Sequence, residues 1–193
     1  INYRSAIRLQ NKAITTNKIS FDFCNLDNMG DYGVINIGGN NVKLDTLSFK
    51  RSTLVNLATQ LMDVRTNVGY IYIGNCTFYN QSRALSQLLR FDNGAGKLPL
   101  QVVTEANIIS GNNSGAKINS LSFDMSSTAL NVSFGGSYRT NELVINKYEF
   151  SGITVFAGTA GDLFVDPENY NFRIKPESGF GGRGSAGDPR WFD

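Results

Sequence analysis

The stretch Tyr70-Ile71-Tyr72-Ile73-Gly74-Asn75-Cys76-Thr77-Phe78-Tyr79-Asn80 constrains the fold more than any other, because it is one copy of a template that recurs along the chain. Ile71 and Ile73 fall on one side of an extended backbone and Tyr72 and Gly74 on the other, which is the alternation of a strand. Small and polar residues then turn the chain and place Phe78 before Asn80. With Ile71 as position one, apolar residues at positions one, three and eight recur as Ile19, Phe21 and Leu26, and again as Leu47, Phe49 and Leu54. Cys24 falls on the column of Cys76, and Asn28 and Asn56 fall on that of Asn80. A further copy runs from Leu143 through Ile145 to Phe150, with Gly152 on the Asn column. Two weaker copies run from Gln101 through Val103 to Ile108 and from Leu121 through Phe123 to Thr128.

A loose period of roughly 20–30 residues marks a solenoid. Helical repeats would need a period of about 3.6 residues, which is absent. Leucine-rich repeats would need a denser Leu pattern. A sandwich of short strands also has regular turns, but aligned Cys, Asn and Phe columns favour stacked coils. A second strand is expected in each coil, at residues 34–38, 61–65 and 88–92, and later at 130–134. Gly and Asn near these segments suit corners that need positive φ. The expected fold is all-β: a single-stranded parallel β-helix of about five to six coils with a wrapped C-terminal tail. Its right hand follows from the general crossover rule and from the resemblance given below.

The chain has 193 residues, of which 41% are hydrophobic, enough for one domain with a sizeable core. Its 18 basic and 16 acidic residues leave a charge of +2, with no strong pull towards nucleic acid or anionic membrane. No apolar run is long enough to span a bilayer as a helix. Cys24 and Cys76, two coils apart, should lie about 10 Å from one another, too far for a disulfide. Two largely buried free thiols are expected. Residues 1–18 read as an incomplete first coil or a junction to an upstream domain, 19–163 as the coils, and 164–193 as a capping tail. In that tail Phe180, Trp191 and Phe192 should cover the last coil. The Gly-rich segment from Gly179 lacks the strand-to-helix context of a phosphate loop.

The segments Asn169-Tyr170-Asn171-Phe172-Arg173-Ile174 and Ala186-Gly187-Asp188-Pro189-Arg190-Trp191, with Asn75-Cys76-Thr77-Phe78-Tyr79-Asn80, carry a resemblance. They resemble a family of Bacteroidota surface proteins with pectate-lyase-like parallel β-helix domains of unknown function. The resemblance implies an extracellular or outer-membrane location, an anchoring N-terminal segment as in a lipoprotein, an upstream domain of the same chain, and a place in polysaccharide utilisation. It implies no activity, because fold does not fix function.

The chain has no His, which removes His-based triads and imidazole acid–base chemistry. Two enzyme classes fit such a scaffold. A polysaccharide lyase would need a Lys or Arg base beside a uronate, often with Ca²⁺; Lys50, Arg51, Arg65 and Arg90 are the candidates. A glycoside hydrolase would need two carboxylates about 5–9 Å apart, and Asp22 and Asp124 are expected several coils apart. On the second strand Asp63 and Arg65 align with Arg90 and Asp92. They read either as a surface ion-pair ladder, worth little, or as a groove for glycan hydroxyls and carboxylates. Tyr72 and Tyr79 suit stacking on sugar faces, though Tyr79 fits a corner equally well. Lys50 reads as a further ligand candidate or as a solvated surface residue. The function expected first is a non-catalytic glycan-binding or structural module. A lyase acting on an acidic polysaccharide and an adhesin or spacer are the alternatives. No catalytic residue, metal or cofactor is assigned, Ca²⁺ entering only with the lyase. The expected partner is a polysaccharide, not nucleic acid.

Overall fold

The structure is a computed structural model that describes residues 4–10, 12–30, 32–38, 41–57, 60–80, 87–91, 98–111, 122–124, 132–143 and 151–193, with the backbone alone for 87 and 122–124. Its strands run in a repeating order of three. The first coil supplies β1 (Ile7–Leu9), β2 (Ile14–Asp22) and β3 (Asn25–Asp27), and the second β4 (Ile35–Ile37), β5 (Val42–Lys50) and β6 (Thr53–Val55). The third supplies β7 (Met62–Val64), β8 (Val68–Gly74) and β9 (Thr77–Tyr79), and the next β10 (Gln87–Phe91), β11 (Gln101–Glu105) and β12 (Ile108–Ser110). Then come β13 (Ser122–Asp124), β14 (Phe134–Gly135), β15 (Tyr138–Thr140) and β16 (Thr154–Phe156). They stack in three parallel sheets: A (β1-β4-β7-β10-β13), B (β2-β5-β8-β11-β14) and C (β3-β6-β9-β12-β15-β16). The chain is therefore a parallel β-solenoid. Each circuit has three strands rather than the expected two, because Phe78 and its equivalents stand on a strand of their own after a sharp corner.

The inward columns make the core. Phe21, Phe49 and Ile73 stack in sheet B beside Ile19, Leu47, Ile71 and Val102. The rings of Phe21 and Phe49 lie 4.8 Å apart and nearly parallel. Sheet C contributes Leu54, Phe78 and Ile109, and sheet A contributes Met62, Val64, Leu89 and Phe91.

The corner between sheets B and C is left-handed in every described coil. Phe23, Arg51, Asn75, Ala106, Gly136 and Gly152 have φ between 44° and 77°. Side chains of the next column tie these corners along the axis. The Cys24 N–H donates to Ser52 Oγ (3.1 Å), that of Cys76 to Asn107 Oδ1 (3.0 Å) and that of Asn107 to Ser137 Oγ (3.0 Å). The corner after sheet C is left-handed too, at Asn28, Asn56, Asn80 and Gly111. Short polar side chains tolerate this region by bonding their own backbone. Cys24, Ser52 and Cys76 occupy successive rungs, and both thiols are free, Cys76 buried and Cys24 half-buried.

Three of the weaker expectations change. In the fourth coil Val102, not Gln101, pairs with Ile71. The slip arises because Thr104 stands on the core column, where its hydroxyl donates to the Ser133 carbonyl; a one-residue shift moves every side chain to the other face. The segment at Phe123 joins sheet A beside Leu89, whereas Phe134 joins sheet B beside Thr104, the reverse of the expected order. Most of the Leu143 copy falls outside the described residues, and its Gly152 stands on the Gly136 column instead of that of Asn80.

The tail runs back along the outer face of sheet C. A one-turn helix α1 (Ala160–Leu163) leads into the antiparallel hairpin β17 (Phe164–Asp166) and β18 (Asn171–Ile174). Leu163, Phe164, Phe172 and Ile174 bury against Val55, Tyr79 and Ile108, which point outward from sheet C. Phe180 lies edge-on to Tyr138 and Phe156 near the last coil. Trp191 instead reaches the second coil, so the tail spans the stack rather than covering its end.

Candidate functional site

Sheet A brings together three of the expected ligand-binding residues. Asp63 pairs in register with Asn36 and Arg90. Its carboxylate accepts from Arg65 Nε (3.0 Å) and Nη2 (2.7 Å) and from Asn36 Nδ2 (3.3 Å), and Arg90 Nη1 lies 3.6 Å away. Gln10 Nε2 extends the row by donating to Asn36 Oδ1 (2.8 Å). Asp63 is only 2% exposed, with Arg65 and Arg90 partly exposed above it. A carboxylate this buried, covered by Arg65, Asn36 and Arg90, is out of reach of a glycan hydroxyl, so Asp63 acts as an internal tie between coils. Asp92 lies outside the described residues.

Sheet B carries a different row on its outer face. Tyr72 lies beside Ser48, and Lys50 lies beside Gly74 and so diagonal to Tyr72. The Lys50 ammonium sits 5.2 Å from the centre of the Tyr72 ring, within cation–π range. The Tyr72 hydroxyl donates to Glu105 Oε1 at 2.8 Å. To do so the ring lies across Gly74, where a Cβ would collide with its hydroxyl end. Burial, then the Glu105 acceptor, push the Tyr72 phenol well above its ordinary pKa, so it stays a donor at neutral pH. Tyr70 follows, its ring 6.4 Å from that of Tyr72. Towards the first coil Arg51 makes a bidentate pair with Asp22 and lies over the Phe23 ring at 4.2 Å. The Arg51 guanidinium holds the Asp22 carboxyl below its usual range.

Glu105 and Tyr70 escape the sequence reading. The one-residue slip in the fourth coil takes Glu105 off the Lys50 column. With Val102 as the start of that coil, Asp22, Lys50, Gly74 and Glu105 share one outward column.

The Ala186-Gly187-Asp188-Pro189-Arg190-Trp191 segment is a structural latch. Asp188 is fully buried. Its carboxylate accepts from the Thr53 hydroxyl (2.7 Å), the Arg190 N–H (3.0 Å) and the Arg190 guanidinium, and its own N–H donates to Thr77 Oγ1 (2.9 Å). Arg190 reaches the first coil through the carbonyls of Phe23 (3.3 Å) and Cys24 (3.0 Å) and Asn25 Oδ1 (2.8 Å). Trp191 Nε1 donates to Thr53 Oγ1 at 2.7 Å. Gly187 is required at φ 87°, since a Cβ would stand 2.8 Å from Ile108 and 2.9 Å from Thr77. Tyr79 is likewise structural. It is buried under the hairpin, with its hydroxyl on Glu168 and its ring 5.4 Å from that of Phe172.

The chemistry these rows support is narrow. Asp22 and Glu105 stand three rungs apart, about 14 Å at the usual strand spacing, beyond the reach of a hydrolase pair. Asp22 holds Arg51 protonated, which removes it as a base. Among the described residues no three His, Cys, Asp or Glu side chains converge to hold a metal ion, and no helix is long and apolar enough to cross a membrane.

The model of one family, described as a domain of unknown function (DUF5123), matches residues 71–191. The chain belongs to the DUF5123 family. The matched span contains the Cys76 corner, Tyr72, Glu105 and the whole latch. No curated protein and no solved structure matches the chain.

Proposed function

We propose that this DUF5123 domain is a non-catalytic glycan-binding module whose ligand lies along the outer face of sheet B. The observation that carries the reading is the Lys50–Tyr72–Glu105 row. An aromatic ring, a cation and a carboxylate are fixed on one another across neighbouring strands before any ligand arrives. Tyr70 widens the apolar platform. Sugars present an apolar C–H face and a rim of hydroxyls. Aromatic faces take the first and fixed charged groups the second. The rigid strands limit the ordering cost of binding. A row that follows the stacking direction suits a polymer better than a single small molecule. Lys50 adds a preference for uronate-containing chains. The resemblance to Bacteroidota surface proteins supports a secreted or surface-anchored setting in polysaccharide utilisation, with an upstream domain beside this one.

A glycan array on the folded protein tests this. We expect retention of one class of polysaccharide, with affinity about tenfold weaker (~1.4 kcal/mol) in Lys50→Ala and in Tyr72→Ala. Gly74→Ala should act like Tyr72→Ala, because the new methyl group displaces the ring. A blank array from folded protein would refute binding and leave a spacer. Release of unsaturated uronides from a retained polymer would make the same row a lyase site with Lys50 as its base.

A further inference from the structure

A cavity lies on another face, between sheet C and the tail. It has a volume of about 160 Å³ and opens to solvent on one side. Thr53 and Val55 form its floor, and Tyr170, Phe172 and Trp191 form its aromatic walls. Asn25 and Asp27 line its rim. The cavity is smaller than the ~300–1,000 Å³ of drug-sized sites, so it suits one ring.

Three observations set this cavity apart from a packing gap. Tyr170 is in the left-handed region at φ 62° although it is not glycine, and its side chain is half exposed. Such a conformation costs on the order of 1–3 kcal/mol and persists where the surroundings fix it. Here the Tyr170 N–H caps the turn 167–169 on the Pro167 carbonyl, and the side chain is directed to the cavity mouth. The Tyr170 hydroxyl donates to Asp27 Oδ2 at 3.0 Å, which holds the ring at the mouth. The rim also keeps hydrogen-bonding capacity. Asp27 Oδ1 accepts from Asn56 Nδ2 at 3.1 Å, leaving each carboxylate oxygen a further lone pair. Asn25 gives its oxygen to Arg190, while its amide N–H groups meet no acceptor among the described residues. The floor hydroxyl of Thr53, by contrast, is fully used: it donates to Asp188 and accepts from Trp191.

We propose that this cavity binds a single pyranose ring, free or at the end of a glycan. The aromatic walls take the C–H face of the ring, Asp27 accepts from its hydroxyls, and Asn25 donates to one of them. A purely apolar guest would leave the Asn25 amide N–H groups and the remaining Asp27 lone pairs without a partner. A cationic guest would pair with Asp27 but leave the Asn25 amide N–H groups without an acceptor, so choline serves as the contrasting probe. The site is separate from the sheet B face and does not depend on it.

Trp191 is the sole Trp of the chain and lines this cavity, so its emission responds to binding here. The whole protein is titrated with the methyl glycosides of glucose, galactose, mannose and galacturonic acid, and with choline. We expect a saturable change with at least one glycoside. Half-saturation should rise at least about tenfold in Asp27→Ala and in Tyr170→Gly, the latter a change that relieves the backbone and so keeps the fold. Lys50→Ala and Tyr72→Ala should leave the response intact, which separates this site from the sheet B face. No saturable change with any glycoside, an equal response in both cavity variants, or a response to choline alone would overturn the proposal.

Discussion

Asp188→Ala probes how the tail is held. The carboxylate is fully buried and serves the Thr53 hydroxyl, the Arg190 N–H and the Arg190 guanidinium at once. Removing one partner of a buried pair costs about 3–5 kcal/mol, because the other charge is left without compensation. Arg190 here is 31% exposed and keeps the carbonyls of Phe23 and Cys24 and the Asn25 oxygen. The loss should therefore fall at the lower end, about 3 kcal/mol. For a chain of this size that lowers the melting temperature by roughly 6–12 °C. Location matters as much as magnitude. The strands stack on one another without the tail, so the tail should release first. Far-ultraviolet dichroism then reports the solenoid and Trp191 fluorescence reports the latch. We expect Trp191 emission in the variant to shift red and to melt below the dichroism transition, whereas the two coincide in the parent. Adding Arg190→Met removes the orphaned charge, so the double variant should be destabilised by less than the sum of the two single changes. Melting within about 1 kcal/mol of the parent, with unshifted emission, would mean that Asp188 contributes no more than a surface pair and that the latch reading is wrong.

The remaining predictions concern the corners. Burial pushes the Cys76 thiol up to about 12, whereas Cys24 is half exposed in the same column. An aromatic disulfide reagent at mildly alkaline pH should titrate one thiol per native chain and two after denaturation. Because the folded state holds the Cys76 proton more tightly than the unfolded state, stability should fall as pH rises from the ordinary thiol value of about 9 towards about 12; a flat profile there would contradict the burial of Cys76. At the second corner Asn56→Ala should cost about 1–2 kcal/mol in a urea melt, from the left-handed penalty. Asn56→Gly at the same φ of 52° should cost less; equal losses would point to the Asn56–Asp27 hydrogen bond as the source.

The sequence speaks most clearly where one rule governs every copy. Ile19, Leu47 and Ile71 align because apolar and polar residues alternate without interruption in those coils, and a strand face buried along its length fixes register. Thr104 breaks the pattern and displaces the reading by one residue, which hides Glu105. The segments around Phe123 and Phe134 look alike by alternation, so they change places. A better guide would have been the corner itself, since Gly136 stands on the column of Asn75 and Ala106. Even that signal is incomplete. Phe23, Arg51 and Ala106 take left-handed φ against their own preference, because hydrogen bonds to the neighbouring coils hold the corner open. The latch lies beyond local reading altogether. Thr53 and Asp188 are 135 residues apart, and nothing near either one specifies the other. A Gly-Asp-Pro-Arg-Trp ending therefore reads only as a cap on the last coil, with nothing to place it at the second. Only the outward Thr53 and Thr77 of sheet C, apposed by stacking, make its Asp a buried anchor. Both candidate binding surfaces share this dependence. Lys50 meets Tyr72, and Trp191 shares a cavity with Asp27, only because stacked coils and a returning tail bring distant parts of the chain together. In a solenoid the core can be read coil by coil, but a surface site belongs to the stack.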